Sequence, residues 1–310
     1  MDLSFNQLSG RIPDSIGSLS SLSHMDLSFN QLSGRIPDSI GSLSSLSHMD
    51  LSFNQLSGRI PDSIGSLSSL SSMDLLWNQL SGRIPDSIGN LSSLSHMDLS
   101  SNQLSGNIPT SLGQLSNLYS LVLSYNQLRG DVSEIHFTKL YNLTYLELSG
   151  NTLITWNVSR HWIPPFQLKY LDLSSCWNMG PQFPNWLQTQ THLERLDLSN
   201  SSIRDSIPEW FHNISSHLQY LDLSDNQIGP EFPNIQTSTH LEYLFLSYTS
   251  IRDTIPEWFQ NISSHLLYLD LSDNQIHGNL PRIIANINTG MQLLDNTITF
   301  YSCNIRDMFG

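Results

Sequence analysis

Cysteine is nearly absent: the 310 residues hold two, Cys176 and Cys303, too few and too far apart for a disulfide framework. Positive charge is scarce as well. Lys and Arg number 13 against 27 Asp and Glu, a formal net charge of −14. No basic stripe exists to neutralise phosphates, so nucleic acid is excluded as a partner, and so is attraction to an anionic membrane surface. No run of about 18 apolar residues occurs, so any attachment to a membrane would run through segments outside this sequence. The opening residues, Met1-Asp2-Leu3-Ser4, lack the basic-then-apolar order of a secretory leader. Catalytic signatures are missing too: there is no GxSxG, HExxH, CxxC pair, phosphate-cradling glycine loop or kinase set. The expectation is therefore not an enzyme, with no metal and no cofactor. Hydrophobic residues make up 38% and charged residues 13%, a combination that would suggest disorder if Leu and Ile did not recur so regularly.

That regularity is the main signal. The string MDLSFNQLSGRIPDSIGSLSSLSH fills residues 1–24 and again 25–48, and it recurs at 49–72 with only Ser72 changed. A fourth copy at 73–96 and a fifth at 97–120 diverge slightly. Later repeats start at Leu121, Leu146, Leu171, Leu196, Leu221, Leu244 and Leu269, spaced 23 to 25 apart. This predicts one solenoid over 1–293 with about twelve repeats of 23–25 residues, near-identical over 1–120 and divergent over 121–293. An irregular tail is expected at 294–310, and no role follows for Cys303 within it.

The shared pattern is LxxLxLxxNxLxGxIPxxLxxL. Met25 and Leu27 alternate at period two around Asp26, the mark of a short strand with two residues inward and one outward. The Asn that follows (Asn30, Asn54, Asn78, Asn102, Asn126) can bond backbone groups and build a ladder from repeat to repeat. Gly34 allows a tight turn and Pro37 holds an extended chain, after which DSIGSLSSL returns along the far side. The expected fold is an α/β solenoid, a superhelix with a parallel concave β-sheet and short helical or irregular convex returns. No repeat buries its leucines alone; neighbours do it for each other.

The GxIP segment after the Asn resembles plant-specific leucine-rich repeats. The stretches HWIPPFQLKYLDLSSCWNMGPQFPNWLQTQTHLERLDLSNSSIRDSIPEWFHNISSHLQYLDLSDNQI and SIRDTIPEWFQNISSHLLYLDLSDNQIHGNLP go further. From about Tyr119 to Pro281 they resemble the ectodomain of plant receptor-like proteins of the fungal-xylanase-receptor type. The resemblance implies an extracellular or cell-surface receptor of immunity or development that signals with a co-receptor kinase. It also implies a leader, caps, an island and one membrane span, none of which is in this sequence, so the chain is expected to be part of such an ectodomain.

Equivalent positions stack into columns along a parallel sheet. An acidic column runs through Asp2, Asp26, Asp50, Asp74, Asp98, Glu147, Asp172, Asp197, Asp222 and Asp270. It reads either as a docking strip for a basic partner or as hydrated charge that serves solubility. Two residues earlier stand His24, His48 and His96, then Tyr145, Tyr170, Arg195, Tyr220, Tyr243 and Tyr268. Protonated His beside Asp would make binding or stability depend on pH between about 5 and 7; the other reading is a solvated His with no partner. Tyr and Arg are the residues that anchor interfaces, although a Tyr ladder can also only stiffen the sheet. A third column, Phe5, Phe29, Phe53, Trp77, Tyr125 and Tyr248, lies just before the ladder Asn and either binds a partner or covers the turns. Cys176 takes the ladder position, where a structural role is expected. The segment TWNVSRHWIPPF, with Trp156 and Trp162, replaces GxIP as a binding loop or a packing variant, and the resemblance favours packing.

Six N-x-[ST] sequons occur, at Asn90, Asn142, Asn157, Asn200, Asn213 and Asn261, and are candidate glycosylation sites. Asn213 and Asn261 share one place on the return, whereas Asn200 stands in the aromatic column, where a glycan would obstruct binding. The leading expectation is a recognition module that binds a peptide, protein or cell-wall oligosaccharide on its concave face. A secreted inhibitor of a pathogen enzyme is a second reading. End-to-end self-association of near-identical repeats is a third.

Overall fold

In a computed structural model of the chain, residues 1–263 and 265–278 are described, together with the backbones of Met291–Leu294 and Thr297–Phe300. They fall into two compact units, Met1–Leu168 and Lys169–Gly310.

In the first unit the inner strands are three residues long, such as His24–Asp26, His48–Asp50, Ser72–Asp74 and His96–Asp98, and the first repeat adds a single bridge from Asp2 to Asp26. The strands pair in parallel without stagger: His24 lies beside His48, Met25 beside Met49 and Asp26 beside Asp50. Repeat 25–48 buries Met25, Leu27, Leu32, Ile36, Ile40, Leu43 and Leu46, the positions expected from the period. Full burial of each such side chain stabilises by about 1.5–3 kcal/mol, and each is covered by the repeats on either side. After Pro37 the chain makes a turn of 3-10 helix, Asp38–Ser42. A Cβ on Gly41 would stand 2.5 Å from the Ser63 carbonyl oxygen, so glycine is what lets successive returns nest.

The Asn ladder is present. Asn54 Nδ2 donates to the carbonyl of Leu27 one repeat back at 2.9 Å and to Leu51 and Ser52 in its own. Its Oδ1 accepts the Leu32 N–H at 2.9 Å. One side chain thus satisfies buried backbone groups in two repeats, where an unpaired group would cost about 1–3 kcal/mol.

The sequence did not reveal a second ladder on the flank of this unit. Gln31–Gly34, Gln55–Gly58, Gln79–Gly82, Gln103–Gly106, Gln127–Val132 and Leu153–Trp156 form a seven-stranded sheet with Ser9–Gly10. Gly34 sits there at φ +77°, the left-handed turn its position called for. Trp156 and Trp162 pack on Phe137 at 5.7 and 5.5 Å, and Trp162 meets Phe166 edge-on at 6.1 Å, so the segment that lost GxIP is a packing variant.

The second unit keeps the inner strands, Tyr170–Asp172, Arg195–Asp197, Tyr220–Asp222, Tyr243–Phe245 and Tyr268–Asp270, again parallel. Its flank ladder is reduced, among the described residues, to a bridge between Thr254 and His277. Two returns become short α-helices, Phe211–Ile214 and Phe259–Ser263. Phe183 meets Phe211, and Phe232 meets Phe259, edge-on at 5.6 and 5.7 Å, filling with rings what the first unit fills with Ile and Leu. Met291–Leu294, at the junction of the expected solenoid and tail, pairs antiparallel with Thr297–Phe300 within the expected tail, and Thr299 pairs with Asp270. Backbone pairing satisfies peptide groups there that the lost repeat pattern no longer explains. Cys303 lies outside the described residues.

Candidate functional site

On the strand face of Met1–Leu168 the acidic column is tied to its own backbone. Oδ1 of Asp26, Asp50, Asp74 and Asp98 each accepts the N–H two residues on, at 2.8–2.9 Å. The Ser28 and Ser100 hydroxyls add bonds of 2.7 and 2.5 Å to Asp26 and Asp98. Asp74 has Leu76 where its neighbours have serine, so it lacks that hydroxyl. Burial, reinforced by the charges of Asp98 and Asp50, pushes the Asp74 carboxyl up to about 7. Asp98 is raised too, by burial first. The column therefore carries less than its formal charge near neutrality, which weakens its reading as a strip for basic partners.

The expected His–Asp couple does not form. Among the described residues no ion pair joins His24 to Asp26; His24 bonds Ser23 Oγ at 3.0 Å, and its ring stacks on His48 at 4.5 Å. The carboxylates already accept from backbone N–H groups, and Asp26 and Asp98 from serine hydroxyls too, while His24 stacks on His48 and His96 tilts against Tyr119 at 5.5 Å. Tyr145 ends this unit's column, its hydroxyl donating to Glu147 at 3.1 Å.

The strand face of Lys169–Gly310 is different. The Arg195 guanidinium carbon lies 3.4 Å from the Tyr220 ring centroid and 5.3 Å from that of Tyr170, a cation held between two aromatic faces. Arg195 is 3.9 Å from Asp197. The Tyr220 hydroxyl reaches Asp197 and Asp222 at 3.5 and 3.4 Å. Burial opposes the Arg195 charge, yet Tyr170, Tyr220, Asp197 and Asp172 more than offset it and its pKa rises. Burial raises Asp197, and burial with the Asp197 charge pushes Asp222 up to about 7. Tyr243 tilts against Tyr220 at 6.0 Å. Five of the expected residues (Tyr170, Arg195, Tyr220, Asp197 and Asp222) thus meet in one cluster, with Asp172 buried beside it and Tyr243 and Tyr268 continuing the column.

Phe245 was missed. It stands in the acidic column, where LFLS replaces LDLS, and packs on Tyr220 at 5.4 Å and Tyr268 at 4.7 Å. Reading that column for exceptions instead of for acids would have found it.

The aromatic column has an unexpected backbone. Phe5, Phe29, Phe53, Trp77, Tyr125 and Tyr248 all have φ between 51 and 54°. The same column elsewhere holds Ser101, Ser175, Gly150, Asn200, Asp225 and Asp273, of which Gly, Asn and Asp are the types that best tolerate the left-handed region. Phe5, Phe29 and Phe53 stack at 4.3 and 4.1 Å, and Phe53 meets Trp77 at 5.7 Å. Trp77 is 61% exposed, and Phe5, Phe29, Tyr125 and Tyr248 are exposed as well, while Phe53 is half-buried between its neighbours.

All six sequon asparagines are exposed. Asn213 and Asn261 sit at matching places in the short helices. Asn142, Asn157 and Asn200 donate from Nδ2 to Ser116 O, Asp131 Oδ2 and Ser175 Oγ at 2.9, 3.1 and 3.2 Å. Cys176 is buried at the ladder position, while Ser201 and Thr249 fill that position with hydroxyl bonds to Leu173 and Leu246.

The profile described as "Leucine-rich repeat region" matches residues 1–206, and shorter leucine-rich repeat profiles match 215–231, 240–262 and 263–279. The chain belongs to the leucine-rich repeat family. Among curated proteins, receptor-like protein EIX2 of Solanum lycopersicum is 47% identical over 97 residues, 31% of this chain and 9% of its own length. Receptor like protein 27 of Arabidopsis thaliana is 37% identical over 90 residues, 29% of this chain and 11% of its own. The match thus spans about a tenth of the length of these relatives. The crystal structure of PEPR1-AtPEP1 has TM-score 0.79 and 31% identity, over 91% of this chain and 39% of that one. The Arabidopsis receptor kinase HAESA, in complex with the peptide hormone IDA and the co-receptor SERK1, has TM-score 0.69 and 26% identity, over 92% and 55%. The plant-type leucine-rich repeat solenoid and the resemblance to plant receptor-like ectodomains are both borne out. No helix among the described residues is long and apolar enough to cross a membrane.

Proposed function

We propose that this leucine-rich repeat segment is an extracellular recognition module of a plant receptor-like protein. It binds a peptide or protein on its strand face and does not catalyse a reaction. The observation that carries the reading is the Arg195 guanidinium packed between Tyr170 and Tyr220 above Asp197 and Asp222. A rigid, partly desolvated Tyr–Arg patch is the composition of binding hot spots, and the column extends it through Tyr243 and Tyr268. Solved neighbours of similar fold hold peptide ligands, and one also holds a co-receptor, which supports a peptide-sized ligand and a second contact with a kinase partner. Convex sequons at Asn213 and Asn261 would carry glycans away from that face.

The test replaces Tyr220, Tyr243 and Tyr268 by Ala together. Binding is screened first against secreted fungal xylanase and a pool of plant peptide hormones. The expected outcome is a loss of at least about 100-fold in affinity with an unchanged circular dichroism spectrum. Unchanged affinity for a partner that binds the parent chain would remove the Tyr column from the binding face.

A further inference from the structure

The unit Lys169–Gly310 carries an open groove of about 640 Å³ that the strand-face reading does not use. One wall is the left-handed column, here Asn200, Asp225 and Tyr248 at φ 50, 55 and 52°. The other is made by Gln227, Gln275 and Arg204. The groove lies where the first unit has its flank sheet; with that sheet reduced to the Thr254–His277 bridge, the side chains after the ladder position stand open. All six are exposed, and among the described residues Arg204, Gln227 and Gln275 have no side-chain hydrogen bond or ion pair. Asn200 donates from Nδ2 to Ser175 Oγ at 3.2 Å, and Asp273 lines the groove together with Tyr248.

Carboxylate, amide and guanidinium groups are planar and two-pronged, so each can bond neighbouring ring hydroxyls at two points. An exposed aromatic face suits the C–H face of a sugar ring. The size lies within the roughly 300–1,000 Å³ of ligand sites, and the lining is too polar for an apolar ligand. Two carboxylates against one guanidinium disfavour an acidic saccharide. One lining residue, Asn200, is also the first residue of the sequon Asn200-Ser201-Ser202. We propose that this groove holds a short neutral oligosaccharide, either a glycan carried on Asn200 of the same chain or a free saccharide. The site is separate from the strand face, so it stands or falls apart from peptide binding there.

The experiment uses protein secreted from plant cells. Ser202→Ala removes the sequon and keeps the Asn200 amide. Chitotriose, cellotriose and xylotriose at millimolar concentration are the probes, followed by ligand-observed NMR. At least one trisaccharide should bind the Ser202→Ala protein. Adding Tyr248→Ala should weaken it about five- to tenfold, and Gln227→Ala should weaken it by a smaller factor. No binding by any of the three, or binding that neither variant changes while the fold persists, overturns the proposal. Mass spectrometry of Asn200 in the parent chain separates the sources. If Asn200 is glycosylated, the parent should bind no free trisaccharide, and Tyr248→Ala should speed endoglycosidase release of that glycan several-fold; an unchanged release rate would rule out the glycan as occupant. If Asn200 is bare, the parent should bind free saccharide as Ser202→Ala does; failure to do so overturns the free-saccharide arm.

Discussion

The two units solve the same packing problem with different residues, and only one of them builds a varied surface. In Met1–Leu168 the ladder Asn, the flank strands and the nested returns repeat with little change, and over the first four inner strands so does the strand face, His or Ser followed by Asp. In Lys169–Gly310 the ladder position passes through Cys176, Ser201, Asn226, Thr249 and Asn274, the flank sheet is nearly gone, and the strand face gathers Tyr, Arg and Phe. Regular backbone pairing goes with a uniform face. Where the repeats differ, neighbouring side chains are unlike and can form a cluster or a groove. Alternate ladder residues still serve two repeats in the second unit, since Asn226 Oδ1 accepts the N–H groups of Ser201 and Ile203 at 3.2 and 3.0 Å.

The largest effect should come from the ladder. Asn78→Ala removes donors to Leu51, Leu75 and Leu76 and leaves the buried Leu56 N–H without its acceptor. A loss of about 2–4 kcal/mol in urea denaturation is expected, against about 1 kcal/mol for Cys176→Ala. Equal losses would mean that the ladder Asn matters no more in the regular unit than its replacement does in the irregular one.

A smaller effect depends on pH. Burial pushes the Asp74 and Asp222 carboxyls up to about 7 in the folded chain, far above the ordinary 3.8 that serves for the unfolded chain. The folded chain therefore holds protons that the unfolded chain has released. Their contribution is fully present below about pH 4 and is lost as pH rises to about 7. Asp74→Asn should leave stability at pH 4.5 nearly unchanged and raise it at pH 7.5 by on the order of 1–2 kcal/mol, keeping the bond from Leu76. Asp222→Asn should behave likewise in thermal melts unless Arg195 and Tyr220 need its charge, in which case the gain at pH 7.5 disappears. The two variants together compare an acid in a uniform column with one in a cluster.

The smallest effect should be Phe53→Asn. Stacking on Phe29 and Trp77 gains about 0.5–1.5 kcal/mol, and the left-handed backbone costs a bulky residue about 1 kcal/mol. The two nearly cancel, so melting within a degree or two of the parent is expected. A large drop would show the aromatic column to be structural and not a surface open to partners.

The parts of this fold that are legible in the sequence are those where one residue does one job in every repeat. Met25 and Leu27 announce an inner strand, Asn30 a ladder and Gly34 a left-handed turn, and each is found there. The flank sheet was hidden because Gln31–Gly34 is short and shows no apolar alternation. The Arg195 cluster was half legible. Column position brought its residues together, but that Arg195 would lie between two rings depended on burial, which spacing does not report. The His–Asp couple failed because Asp26 already had closer donors, its own backbone and Ser28. The groove was illegible because it arises from strands that do not form.

The near-identity of the first repeats has a further consequence. Met25 beside Met49 and Met49 beside Met73 make the same contacts, and the ladder bonds of Asn54 and Asn78 are the same to within a few tenths of an ångström. A chain that skipped residues 25–48 would place 49–72 on 1–24 with almost every bond restored. Nothing in this part of the molecule counts its own repeats: register is specified within a turn and degenerate between turns. Loss or gain of a whole unit, by slipped pairing during folding or by unequal exchange in the gene, would meet no local energetic penalty, and only the divergent residues further along could tell that the number had changed.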